Sequence, residues 1–156
     1  MIYNILFAVL LIAADQGFKF LATLYLQNAQ PIVLIPHFLG LTYTLNPGAA
    51  FSMFSGKVNM LIILTSVALG VIAYFVFIKK IDDKIESFCF LLIFAGGVGN
   101  LIDRIMAGMV VDYLEFLFID FPIFNFADTL VCCGVGLFAI YTIYTEFLLA
   151  RKKGDK

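Results

Sequence analysis

Charge is scarce in this chain. Only 13% of its 156 residues are Asp, Glu, Lys or Arg, about half the share of roughly 25% found in soluble domains. With 63% hydrophobic residues and a mean hydropathy of +1.04, this scarcity excludes an ordinary water-soluble domain and implies one integral membrane domain over residues 1–156. The formal net charge of −1 offers no electrostatic footprint for nucleic acid, so none is expected as a partner. Metal-binding side chains are equally sparse. His37 is the only histidine, and Cys89, Cys132 and Cys133 form no CxxC or Cys/His spacing. No metal site and no cofactor is expected. The cysteines lie inside apolar segments and read as buried, inert thiols. No serine sits in a nucleophile elbow, and no internal repeat suggests an inverted-repeat transporter.

What is present is long apolar segments. Residues 3–24, 58–78, 87–106 and 128–150 each reach the length of about 20 residues that a spanning helix needs. The stretch Met1–Ala14 has the length of a signal-peptide core, but no Lys or Arg precedes it and Asp15 interrupts it. A retained helix is expected. Lys79, Lys80 and Lys84 lie between the second and third segments, and Arg151, Lys152, Lys153 and Lys156 follow the fourth. The excess of positive charge places that loop and both termini on the cytoplasmic side. Residues 25–57 and 107–127 then lie outside. They hold β-branched and aromatic runs at 31–36, 39–45 and 110–118, bounded by Pro, Gly or Asn, which predict short strands resting in the lipid interface. The expected fold is an all-α membrane bundle of four transmembrane helices with a small β-sheet in the outer, extracytoplasmic region.

A carboxylate close to lipid is costly unless it is paired, solvated or used. Asp15 lies deep in the first segment, where a hydrogen-bonded partner within the bundle is its simplest role. Asn100, Asp103 and Arg104 end the third segment. Their spacing puts Asn100 on one helix face with both of the others. Asp103 and Arg104 are adjacent and point apart, and an arginine at that depth calls for a carboxylate partner. Asn46-Pro47-Gly48 reads as a turn, although an asparagine amide there also suits the orientation of a reacting carbonyl. Asp112 and Asp128 flank the second outer stretch, 128 − 112 = 16 residues apart. A solvated loop acid and a helix cap are their simplest roles, yet a return loop of that length can bring them together. Two carboxylates at one site share a proton, so one can activate water while the other donates to a carbonyl. Spacing alone leaves Glu115 and Asp120 as possible members of such a pair. The alternative function is a small proton-coupled membrane transporter using these carboxylates as a relay.

Five blocks occur in order: Asp15-Gln16, Asn46-Pro47-Gly48-Ala49-Ala50-Phe51-Ser52, Gly99-Asn100-Leu101-Ile102-Asp103-Arg104, Val111-Asp112-Tyr113 and Phe124-Asn125-Phe126-Ala127-Asp128. On four spans of this orientation, the set resembles lipoprotein signal peptidase (signal peptidase II) over nearly the whole chain. The resemblance implies an aspartyl endopeptidase of the bacterial cytoplasmic membrane. Such an enzyme removes signal peptides from prolipoproteins, before a cysteine that carries diacylglycerol. It implies Asp112 and Asp128 as the catalytic pair, against Glu115 and Asp120. It implies Asp15, Asn46, Asn100, Asp103, Arg104 and Asn125 as residues that line or brace the site. It also implies membrane lipid as surroundings, globomycin as inhibitor, a small surface sheet with a short helical flap within residues 25–57, and a monomer that suffices. One departure stands out: Phe18 occupies a position often held by Ser or Thr, with altered packing of the first helix as the expected consequence.

Overall fold

The computed structural model describes residues 2–48, 54, 56–79 and 81–154. Its elements run α1 (Ile2–Leu26), β1 (Ile32–Ile35), β2 (Leu39–Asn46), α2 (Val58–Ala73, continued by a π-helical turn over Tyr74–Lys79), α3 (Lys84–Ala107), β3 (Val110–Phe116) and α4 (Phe126–Gly154). Four helical stretches, Ile2–Leu26, Val58–Lys79, Lys84–Ala107 and Phe126–Leu148, are long and apolar enough to cross a membrane. The expected four helices and small sheet are both present.

Burial follows the helical period. In α1 the buried residues are Ala8, Asp15, Lys19, Ala22 and Leu26, spaced by three, four or seven residues, so one stripe faces inward. On the opposite side of α1, apolar residues such as Leu6, Val9, Leu10, Phe20 and Leu24 are exposed, as are Ile63 and Val67 on α2 and Ile140 and Ile143 on α4. Apolar groups facing outward on every side suit lipid as solvent. The helix α3 is the most enclosed of the four. Asp83 caps its start, accepting from the N–H groups of Ile85 and Glu86, and Gly108 ends it at φ 73° while donating to the Arg104 carbonyl; only glycine takes that left-handed position without steric cost. Tyr141 of α4 donates to the second Asp83 oxygen at 2.5 Å. This hydrogen bond and that cap hold the Asp83 carboxyl below its ordinary range.

The closest helix contact is α3 against α4. A Cβ on Gly96 would lie 2.3 Å from the Ala127 carbonyl oxygen, and one on Gly134 would lie 2.8 Å from the Cys89 carbonyl oxygen. Small side chains let the backbones meet where lipid gives no hydrophobic drive for association. Leu92, Ala95 and Leu130 fill the core beside them, with Phe7, Leu11, Ile12 and Phe126 packed around.

The antiparallel sheet has the order β1-β2-β3 and sits at the end of the bundle where α1 and α3 finish and α4 begins. All four β1 side chains are exposed. In β2 and β3 the register runs Leu41↔Leu114 and then Thr44↔Asp112. That is three steps on β2 for two on β3, a one-residue bulge. Because strand side chains alternate, this extra residue moves Asn46 onto the face that carries Asp112. The helical flap expected within residues 25–57 is not found among the described residues, and residues 49–53 and 55 lie outside them. Cys89 is buried, but Cys132 and Cys133 are exposed. The expectation of buried thiols fails there because apolar residues on a lipid-facing bundle need no protein cover.

Candidate active site

Asp112 is reached from β3 and is 2% exposed. After β3 the chain loops through Leu117–Ile123 and returns beside the strand. Leu114 and Phe124 form an antiparallel bridge, with Leu114 N–H to Phe124 O at 2.7 Å and Phe124 N–H to Leu114 O at 2.9 Å. The Phe116 ring packs tilted against Phe124 at 4.8 Å and Phe121 at 5.7 Å between centroids, so aromatic packing holds the loop back. The return delivers Asn125 and Asp128 to Asp112.

Asn125 is fully buried and joins the two carboxylates. Its Nδ2 donates to Asp112 Oδ1 at 2.6 Å. Its Oδ1 accepts from the Asp128 N–H at 2.9 Å, and its own N–H donates to Asp128 Oδ2 at 3.1 Å. The last two bonds form a reciprocal capping box at the start of α4. Capping and site geometry are therefore one arrangement for Asp128. Asn100 Nδ2 donates to Asp128 Oδ1 at 2.7 Å, and Asn46 Nδ2 donates to Asp112 Oδ2 at 3.0 Å. Asn46 also makes the turn its sequence predicted, since its Oδ1 accepts from Gly48 N–H at 2.9 Å. Burial, then the charge of Asp128, pushes Asp112 up to about 6 against the pull of the Asn46 and Asn125 amides. Both carboxylates line a cleft of about 760 Å³ between α2, α3 and α4, whose other walls include Leu64, Leu69 and Val131.

Beneath the pair lies a second polar layer. Lys19 Nζ is 2.9 Å from both Asp15 and Asp103 and 2.8 Å from Asn100 Oδ1. Gln16 joins Asp103, Gly99 O and Asp15 at 3.0–3.2 Å. Asp15 thus has the bundle partner its depth required. Residue patterns alone did not single out Lys19; its signal was the i, i+4 spacing from Asp15 on one helix face. Arg104 differs from expectation. No ion pair within 4 Å involves it among the described residues, because Lys19 serves the buried acids. Its Nη2 instead donates to the Gly48 carbonyl at 2.9 Å, which ties the turn after β2 to α3. Arg104→Ala is expected to cost about 1.5–3 kcal/mol, the worth of a charged hydrogen bond, and to leave a folded protein. A thermal melt checks this, and complete loss of folded protein would contradict it. Glu115 turns away from the pair and accepts from Thr42 Oγ1. Phe18 packs edge-on against Phe126 at 5.3 Å, a contact between α1 and α4 that Ser or Thr would lack.

The Signal peptidase (SPase) II family profile matches residues 7–144. The chain belongs to the signal peptidase II family. It is 40% identical to the lipoprotein signal peptidase of Fusobacterium nucleatum subsp. nucleatum, over all of this chain and 92% of that protein. It is 41% identical to that of Clostridium tetani, over 96% of this chain and 97% of the relative. A solved bacterial membrane enzyme superposes with a TM-score of 0.84 at 34% identity, covering 92% of this chain and 89% of that one. As a signal peptidase II family member, the chain is a multi-pass membrane aspartic endopeptidase.

Proposed function

We propose that the chain cleaves prolipoproteins before a diacylglyceryl-modified cysteine, with water activated between Asp112 and Asp128. The observation that carries this reading is the Asn125 bridge, which holds both carboxylates in the wall of one largely apolar cleft. In this mechanism the pair holds one proton. Asp112, whose affinity for a proton is raised, carries it, while Asp128 takes a proton from the attacking water. The water oxygen bonds to the scissile carbonyl carbon as Asp112 protonates the carbonyl oxygen. Collapse of the tetrahedral species breaks the C–N bond. Asp128 passes the proton it took from water to the leaving amine, and Asp112 recovers a proton from the gem-diol hydroxyl, releasing the signal peptide with a free carboxyl end and a new amino-terminal cysteine. Asn46, Asn100 and Asn125 offer amides to substrate backbone that lacks partners in lipid, and Asp15, Asp103 and Arg104 brace them. No cofactor takes part.

Residues 1–156 act as one peptidase domain, and a monomer suffices because every group named comes from one chain. The lysine-rich loop and both termini face the cytoplasm of a bacterial cell and the site faces outward, where the exposed apolar strand β1 meets lipid headgroups. Acyl chains on the substrate cysteine keep the scissile bond at that depth. The same cleft accepts globomycin.

An unlipidated precursor is expected to be cleaved with kcat/KM about 100-fold or more lower, since misplacement by an ångström is worth that much. A gel assay of lipidated and unlipidated precursor with purified enzyme tests this. Equal cleavage of the two would sink the proposed substrate class.

A further inference from the structure

Lys19 pairs with both acids of the polar layer beneath the carboxylate pair, and all three of its N–H donors are matched by acceptors: Asp15, Asp103 and Asn100. It is 3% exposed and is not part of the cleft wall among the described residues. What its partners do next is informative. Asp15 Oδ1 accepts from the Ala127 N–H at 3.0 Å, and Ala127 immediately precedes Asp128. Asp103 Oδ2 accepts from the Val111 N–H at 3.3 Å, and Val111 immediately precedes Asp112. Asn100 turns its oxygen to Lys19 and its amide nitrogen to Asp128.

Three paths therefore leave one ammonium and end at the two site carboxylates. We propose that Lys19 is a positioning residue for the proposed peptidase reaction: it sets the spacing of Asp112 and Asp128 through the backbone N–H groups before them and, together with Asn125, holds the Asn100 amide in the orientation that hydrogen-bonds Asp128. The inference rests on the Asp112–Asp128 reading of the site. The chemistry requires Lys19 to be charged. A neutral side chain leaves Asp15 and Asp103 without their cation, and removes the shorter of the two hydrogen bonds that hold the Asn100 oxygen away from Asp128, the other coming from Asn125 Nδ2 at 3.1 Å. An Asn100 amide flipped by half a turn would set oxygen against oxygen at Asp128. The charged groups around Lys19 are Asp15 from its own helix, Asp103 and Arg104 from α3, Asp112 from β3 and Asp128 from α4. Its charge also lowers the proton affinity of Asp112.

The test uses purified full-length Lys19→Met and Lys19→Met/Asp103→Asn, assayed with a diacylglyceryl precursor peptide across pH. Lys19→Met is expected to lower kcat about 100-fold, the scale of an ångström misplacement, with KM little changed. The alkaline limb of kcat/KM should move to higher pH, because Asp112 then holds its proton more tightly. The double variant removes one charge of each sign, so the net charge of the Asp15–Lys19–Asp103 cluster stays at −1. Its pH limb should return towards the wild-type position while kcat stays about 100-fold down. Should Lys19→Met fail to fold, kcat of the double variant decides. Wild-type kcat in either variant, or a double variant that does not fold, overturns the positioning role. Asp112→Asn runs in the same assay. If it is active, the reading of the site fails; if it is inactive beside a fully active Lys19→Met, only the inference about Lys19 fails.

Discussion

Asp112→Asn and Asp128→Asn are each expected to lower cleavage of a diacylglyceryl precursor by about 100- to 10,000-fold, the range for losing a positioned acid or base. The two substitutions remove different functions. Asp112 sits with its carboxyl pushed up to about 6 by burial and by the Asp128 charge, so it holds a proton well above its ordinary 3.8. An asparagine there keeps a hydrogen-bond acceptor for Asn125 and cannot deliver that proton. Asp128 is gripped by the Asn125 N–H and the Asn100 amide, both of which favour a charged acceptor. An asparagine at 128 can still cap α4 through its one oxygen but cannot take a proton from water. Both variants should fold, since each keeps the shape of the side chain. The proposed mechanism predicts a matching signature in the wild-type enzyme: with an acid of raised pKa, kcat/KM is expected to fall as pH climbs past about 6, where Asp112 would lose the shared proton. Near-normal turnover by either variant, at unchanged melting temperature, would remove the aspartate pair from the mechanism.

Gly96→Ala is expected to cost folded protein as well as activity. The new Cβ would lie 2.3 Å from the Ala127 carbonyl oxygen and 2.9 Å from Val131 Cγ2. The first of these is backbone and cannot swing aside. The helices must separate, and overpacking of this kind costs about 1–3 kcal/mol or more against a total stability on the order of 5–15 kcal/mol. Because Ala127 adjoins Asp128, the same displacement moves a site carboxylate. Neighbouring glycines provide controls. At Gly97 the clash is with Leu69 Cδ2 at 2.7 Å, the far end of a flexible side chain on α2, so Gly97→Ala should be milder. At Gly136 a Cβ meets nothing within 4 Å, and Gly136→Ala should be neutral or slightly stabilising. Detergent-solubilised yield and melting temperature rank the three. An order that does not put Gly96 worst would mean the α3–α4 contact is looser than described.

The bundle was legible in the chain because lipid imposes a simple rule: about 20 apolar residues per span, with backbone hydrogen bonds closed inside each helix. The same rule flagged Asp15, Asp103, Asp112 and Asp128, since charge near lipid has few cheap roles. Local chemistry was readable too. Asn46-Pro47-Gly48 makes its turn, and Asn125 and Asp128 make a cap.

Pairing was another matter, because it depends on through-space neighbours that sequence spacing does not encode. Spacing left Glu115 and Asp120 beside Asp112 and Asp128; the Leu114–Phe124 bridge brings Asn125 to Asp112 and Asp128, while Glu115 bonds Thr42. The one-residue bulge between Leu41 and Thr44 decides that Asn46 shares a face with Asp112, and no local pattern announces it. The partner of the buried acids is Lys19, four residues from Asp15, and not Arg104, one residue from Asp103. Helix geometry points adjacent side chains apart, and only the packing of α1 against α3 brings the ammonium to both carboxylates. Composition and period select the elements because each residue meets its solvent locally; the site exists because distant backbone segments close on one another, and that closure belongs to the folded chain.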